Sequence, residues 1–200
     1  MKKFLITFSL IFIFSLVTLI TILSTVGLKT NKFNNLISSE IKKKNDDIFF
    51  KFKEIKFKFD LKNASLFLET EQPTLTFQKI DTPIRNIKVY LKLFSLLQSN
   101  TEIEKIIIET IIIKISNLQK IISKMKPSNF NSFILNRAKN GQLKLNLEVF
   151  FDEKIDIKNF IAKGEVEKLE ISLFNNIQLN NTNFNFFADN SDVLIKNISS

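Results

Sequence analysis

The residues best able to do chemistry in this chain are its clustered carboxylates. "FFDEKID" brings together Asp152, Glu153 and Asp156, and "ADNSDV" brings together Asp189 and Asp192. Paired carboxylates can share a proton or hold a hard cation. A calcium loop, however, needs a longer ligand series closed by a glutamate, and neither cluster has one. Asp and Asn side chains also bond their own backbone in turns, so both clusters read as solvated turns. A second constellation is "FFKFKEIKFKFDLKN", five phenylalanines interleaved with five lysines. Basic and aromatic residues mixed in this way can grip a nucleic acid, or can be the two faces of one β-strand.

The types that are missing narrow the field further. The 200 residues include no histidine and no cysteine. Zinc sites with those ligands, Ser-His-Asp hydrolysis and imidazole acid–base catalysis are excluded in their usual forms, as is disulfide or thiolate chemistry. Three isolated glycines, Gly27, Gly141 and Gly164, cannot build a phosphate-cradling loop. The net charge of +9 favours anionic partners, but it comes from 27 lysines and two arginines. Nucleic-acid readers lean on the bidentate arginine fork. The chain therefore reads as a non-enzyme without cofactor or metal, and without a nucleic-acid partner. The sequons at Asn63, Asn180 and Asn197 are what chance delivers in so asparagine-rich a chain.

The positioning elements begin with an anchor. Residues 4–28 carry no charge, and as a helix they are about 37 Å long, enough to cross a bilayer. The run exceeds the apolar core of a cleavable signal peptide and "STVG" is a poor cleavage site, so 1–28 is expected to be a retained signal anchor. Lys2 and Lys3 precede the span, whereas Lys29, Lys32, Lys42, Lys43 and Lys44 follow it. A bare charge count would keep the body in the cytoplasm. The three-residue N-terminal tail of a Sec-type signal favours the opposite: a single-pass inner-membrane protein with its C-terminal body in the periplasm.

Residues 29–47 fit one amphipathic helix through Phe33, Leu36, Ile37 and Ile41. Its basic side, with Lys29, Lys32, Lys42, Lys43 and Lys44, would suit an anionic membrane surface, or the helix would cap the domain that follows. From residue 48 the period becomes two. Phe50 and Phe52 share one face, and after a shift at Glu54, which reads as a bulge or bend, Ile55, Phe57, Phe59 and Leu61 share another. Strands follow with Leu66 and Leu68, with Leu75 and Phe77, and with Ile87, Val89 and Leu91, separated at Pro73 and Pro83. "LFSLLQS" reads as a turn or two of helix, and "EIEKIIIETIIIKI" as strand buried on both sides. The first sheet segment thus covers 48–116. A helical insertion at 117–140 uses Leu118, Ile121, Ile122 and Met125, is broken at Pro127, and closes near Asn140 and Gly141. A second sheet segment, 141–200, opens with Leu143, Leu145 and Leu147 on one face and continues to the last residues, as the front of a longer product would.

The expected fold is mainly β: a transmembrane helix, then a curved antiparallel sheet or groove with one or two short helices. Its apolar face needs a cover, either a second sheet, as in a sandwich or jelly roll, or the acyl chains of a lipid. The order of features resembles the N-terminal portion of the AsmA-like family of Gram-negative envelope proteins (AsmA, TamB and YhdP type). The matching pieces are the "MKK" start and span, the helix near Leu36–Ile41, "IFFKFKEIKFKFDLKNASLFLE", and "IRNIKVYLKLFSLLQSNTEIEKIIIETIIIKIS". The resemblance implies an inner-membrane anchor carrying a hydrophobic β-groove that handles phospholipid or assists outer-membrane assembly, with other envelope proteins as partners. The groove or core face would comprise Phe50, Phe52, Ile55, Phe57, Phe59, Leu61, Leu66, Leu68, Val89, Leu91, Leu143, Leu145 and Leu147. A bitopic jelly-roll adaptor resembling the single-span component of lipopolysaccharide export is the alternative.

Overall fold

The computed structural model describes residues 2–30, 34, 48–52, 54–92, 102–152, 156–174 and 177–200. Helix α1, Lys2–Thr25, is apolar all round and none of it is buried in the protein. It is long and apolar enough to cross a membrane. Its threonine side chains are satisfied within the helix, as a segment able to leave water requires. Thr7, Thr18, Thr21 and Thr25 each donate their hydroxyl to the carbonyl four residues earlier, at 2.7–3.0 Å.

The helix ends on a tight turn. The Val26 and Gly27 amides both donate to the Ile22 carbonyl, and Gly27 takes φ +75°, where a side chain is strained. Strand β1, Leu28–Thr30, starts at once and pairs with β3, Ile55–Asp60. The first residues of the expected juxtamembrane helix, Lys29 and Thr30, are therefore extended, because their backbone groups are taken up by the β3 ladder. Of 31–47 only Asn34 lies within the described residues; Lys32, Lys42, Lys43 and Lys44 lie outside them, as does "LFSLLQS".

All the strands of the described residues join one open antiparallel sheet of twelve. In chain order the others are β2 (Ile48–Lys51), β4 (Ser65–Glu71), β5 (Thr74–Phe77), β6 (Ile80–Leu91), β7 (Ile103–Thr110), β8 (Ile113–Lys114), β9 (Ala138–Phe151), β10 (Ile157–Phe174), β11 (Ile177–Asp189) and β12 (Val193–Ser199). The main path is β1-β3-β4-β6-β7-β9-β10-β11-β12, with β2 and β5 joined to the start of β6, and β8 to β9. A jelly roll would have two facing sheets; the strands here do not divide in that way.

Three local expectations change. The period shift at Glu54 is the junction of two strands with different partners, β2 on β5 and β3 on β4, rather than a bulge in one strand. Pro83 does not break the chain. It lies inside β6, where the ladder passes from β5 to β4 and the missing N–H costs nothing, while its carbonyl accepts the Ile111 amide at 2.9 Å. The second helix does not run to Gly141, since β9 begins at Ala138.

Two short helices, α2 (Ile115–Ile122) and α3 (Asn129–Arg137), form the expected insertion. The Ser128 hydroxyl caps α3 by accepting the Asn131 amide at 3.0 Å. Gln119 reaches from α2 and donates Nε2 to the carbonyls of Ile134, Leu135 and Ala138, at 3.2, 3.3 and 2.8 Å. Ile134 and Leu135 lie in the last turn of α3 and Ala138 follows it; the Ile134 carbonyl also accepts the Ala138 amide. The two helices cover one end of the sheet through a cluster of Ile115, Ala138, Leu169 and Ile171, joined by Leu118, Phe133 and Ile134.

Candidate functional site

Directly paired residues in an antiparallel ladder share a face, so the register decides what each face carries. Starting from β1, Leu28 pairs with Phe57, Phe57 with Leu68, Leu68 with Val89, Val89 with Ile106, and Ile106 with Val149. A parallel row runs Phe59, Leu66, Leu91. Another runs Ile87, Ile108, Leu147, Ala162, Ala188, Val193. Leu145 shares its row with Gly164, Phe186 and Ile195, and Leu143 with Val166 and Phe184. One face is thus apolar from the strand that follows α1 to the far edge. At about 4.8 Å per strand, the nine strands of the main path make it roughly 38 Å wide.

Eleven of the thirteen expected groove residues fall on this face or its cluster. Ile55, Leu68 and Leu91 are buried at the end nearer α1, packed with Phe52, Phe57, Val89 and Ile103. Phe59, Leu66, Leu143, Leu145 and Leu147 are half-buried. Leu61 is a correction: it sits in the turn after β3 with 66% of its surface exposed, because Asp60 ends the strand there. The Asp60 carboxylate accepts the Lys62 and Asn63 amides at 2.9 and 3.2 Å and locks that turn. The Phe50 side chain lies outside the described ones, and its backbone belongs to β2, which pairs with β5 rather than β3.

The apolar face also holds residues that alternation alone did not single out: Ile106 and Ile108 on β7, Phe160 and Ala162 on β10, and Phe186 on β11. On β7 the apolar run hid the period, and the structure separates Ile106 and Ile108 from Ile107, which faces the polar side beside Lys88 and Glu148. The run is half-buried on both sides rather than enclosed between layers.

The opposite face is a field of ion pairs near the α1 edge. Buried Glu69 lies 2.6 Å from the Lys58 ammonium and 3.8 Å from that of Lys88. Lys56 reaches Glu71 at 3.1 Å, and Lys105 reaches Glu148 at 3.5 Å. The Glu71 partnership raises the Lys56 pKa. Phe67 stacks on Tyr90 with centroids 5.1 Å apart, and Lys105 lies 4.8 Å above the Tyr90 ring. Burial, then the charge and bond of Asp60, push the Tyr90 hydroxyl up to about 12. Asp60 is moved the other way: burial works to raise it, but bonds from Asn63, Lys62 and Tyr90 together hold it below the usual carboxylate range. The membrane-surface candidate Lys29 pairs with Glu54 at 3.0 Å.

Across β7 and β9–β12 the same polar face hollows into a cavity of about 680 Å3. Its charged side chains alternate with those of the apolar face, and Leu145, Gly164 and Phe186 of the row between them also line it. The carboxylate clusters sit at loop ends. Asp152 accepts the Asp156 amide at 2.9 Å, and Asp189 accepts those of Ser191 and Asp192 at 2.8 and 2.9 Å. Those backbone bonds lower the Asp189 pKa. Glu153 lies outside the described residues, and no cluster that could hold a metal occurs among the described ones. Comparison with protein-family models, with curated proteins and with solved structures finds no match.

Proposed function

We propose that this chain is a membrane-anchored lipid-handling protein of the AsmA-like kind, whose apolar sheet face takes phospholipid acyl chains. In this reading α1 is a single-pass anchor in the inner membrane of a Gram-negative envelope, and the sheet stands in the periplasm. The protein moves phospholipid between membranes or serves outer-membrane assembly with other envelope proteins, and it is not an enzyme. The observation that carries the reading is continuity. Two residues, Val26 and Gly27, separate the span from β1, and the apolar face begins on β1 at Leu28. A lipid tail leaving the bilayer would meet apolar surface without crossing a polar linker. Burying about 300 Å2 of chain against it is worth roughly 7 kcal/mol at ~25 cal/mol per Å2.

The test is photo-crosslinking in membranes. A benzophenone amino acid at Leu147, on the apolar face, is expected to capture phospholipid, identified by mass spectrometry. The same group at Glu71, exposed on the polar face, is expected to capture none. Native mass spectrometry of the detergent-extracted protein should show co-purified phospholipid that is lost in Phe59→Asp/Leu147→Asp. Equal capture at both positions, or no bound lipid in the wild type, would overturn the proposal.

A further inference from the structure

Nearer α1 the polar-face carboxylates Glu69, Glu71 and Glu148 each have a cation; the distal cavity instead holds more cations than carboxylates. Four cationic side chains line it, Arg85, Lys144, Lys163 and Lys196, against two carboxylates, Glu109 and Glu165. Lys144 pairs with Glu165 at 3.6 Å. Among the described residues, Arg85, Lys163 and Lys196 have no carboxylate within ion-pair distance. The ladder explains why. Directly opposite Lys163 stand Asn146 on β9 and Phe187 on β11, and opposite Lys196 stands Asn185. The sheet thus sets like charges on β10 and β12 around a common hollow, an arrangement that repels itself when empty. Asn146 adds a buried amide whose Oδ1 has no hydrogen-bond partner.

We propose that this cavity binds a phosphate ester. Lysine and arginine donors in excess over carboxylates suit anionic oxygens. The lining residues carry a net charge of +2, which matches the −1.5 to −2 of a phosphomonoester near neutral pH. The hollow is also larger than a bare phosphate needs and lies within the usual range for organic ligands. Phe187, whose ring lies 6.0 Å from the Lys163 ammonium, and Leu194 provide an apolar wall for the organic part. Its charged side chains alternate along β9 and β10 with those of the acyl-chain face, so the site stands whether or not that face carries lipid.

The test uses the full chain in a non-ionic detergent with 1-naphthyl phosphate as the probe and 1-naphthol as its uncharged counterpart, followed by calorimetry. The phosphate is expected to bind at least tenfold more tightly than the naphthol. Lys163 and Lys196 are exposed, so Lys163→Gln/Lys196→Gln should stay folded and weaken binding at least tenfold. Lys56→Gln/Lys62→Gln removes the same charge elsewhere on the sheet and should change it less than twofold. Dihexanoyl phosphatidic acid distinguishes the sources. Stronger binding than naphthyl phosphate points to a lipid head group, and weaker binding to a soluble ester, both within the proposed chemistry. If the naphthol binds as well as its phosphate, or the two double variants behave alike, the cavity is not a phosphate site.

Discussion

Gly164 and Phe186 offer the sharpest test of how the apolar face is built. They are direct partners on β10 and β11, and Leu145 flanks Gly164 on β9. The Phe186 ring lies over the glycine, filling the place of the side chain that β10 lacks. A Cβ at residue 164 would stand 2.6 Å from Phe186 Cζ, closer still to Cε1, and 2.8 Å from the Lys144 carbonyl oxygen. Carbon atoms in contact prefer about 3.5–4.0 Å, so Gly164→Ala must push the ring aside by about 1 Å. Overpacking of this kind costs about 1–3 kcal/mol, offset by the roughly 0.5–1 kcal/mol that a strand gains when glycine is replaced. The net expectation is a loss of about 1–2 kcal/mol. In a Phe186→Ala background the ring is gone but the 2.8 Å approach to the Lys144 carbonyl remains, so the same substitution should cost less than in the wild type, though not nothing. Urea unfolding of the four proteins, followed by circular dichroism in detergent, gives the coupling directly; up to about 1–2 kcal/mol is expected. If Gly164→Ala costs the same with and without the Phe186 ring, the ring does not pack on the glycine and the described face is wrong at its centre.

Other substitutions probe the polar side and the helical end. Glu69→Gln keeps the shape but strips the buried carboxylate from between Lys58 and Lys88, so a loss of about 1–3 kcal/mol in urea unfolding is expected. Glu71→Gln, at an exposed pair, should leave the midpoint unchanged. The Asp60–Tyr90 pair predicts loss of stability at both pH extremes. Asp60 is depressed in the fold, so its contribution is present above its unfolded pKa and falls away as acid protonates it. Tyr90 is raised, so its contribution is complete below about 10 and is lost between there and about 12. Tyr90→Phe should flatten the alkaline limb; an unchanged limb would show that Tyr90 does not ionise differently on unfolding. Gln119→Ala removes the side chain that caps α3. It should cost about 1–2 kcal/mol and speed amide exchange at the end of α3 while leaving β10 protected.

Whatever depends on one segment at a time could be read from the sequence. Twenty-five uncharged residues determine a helix of membrane length, alternation determines strands, and Pro127 divides a helical insertion. The absence of histidine and cysteine removes most catalytic chemistry before any folding is considered. Even the solvated-turn reading of Asp189 and Asp192 follows from what short polar side chains do locally. Leu28, Glu54 and Pro83 depart from expectation because their places depend on which strand lies alongside, and that partner is set by long-range pairing, whereas Leu61 leaves its strand through the local turn that Asp60 closes.

The register of those pairings carries the rest. It joins Leu28, Phe57, Leu68, Val89, Ile106 and Val149 into one apolar row, although the chain passes through six strands to do so. It also gathers Arg85, Lys144, Lys163 and Lys196 around one hollow. In the sequence those four are ordinary solvated charges scattered over more than a hundred residues. A period of two says that a strand has two faces, but a slip of one residue exchanges them. Only the folded sheet, by fixing every slip at once, decides which residues stand together.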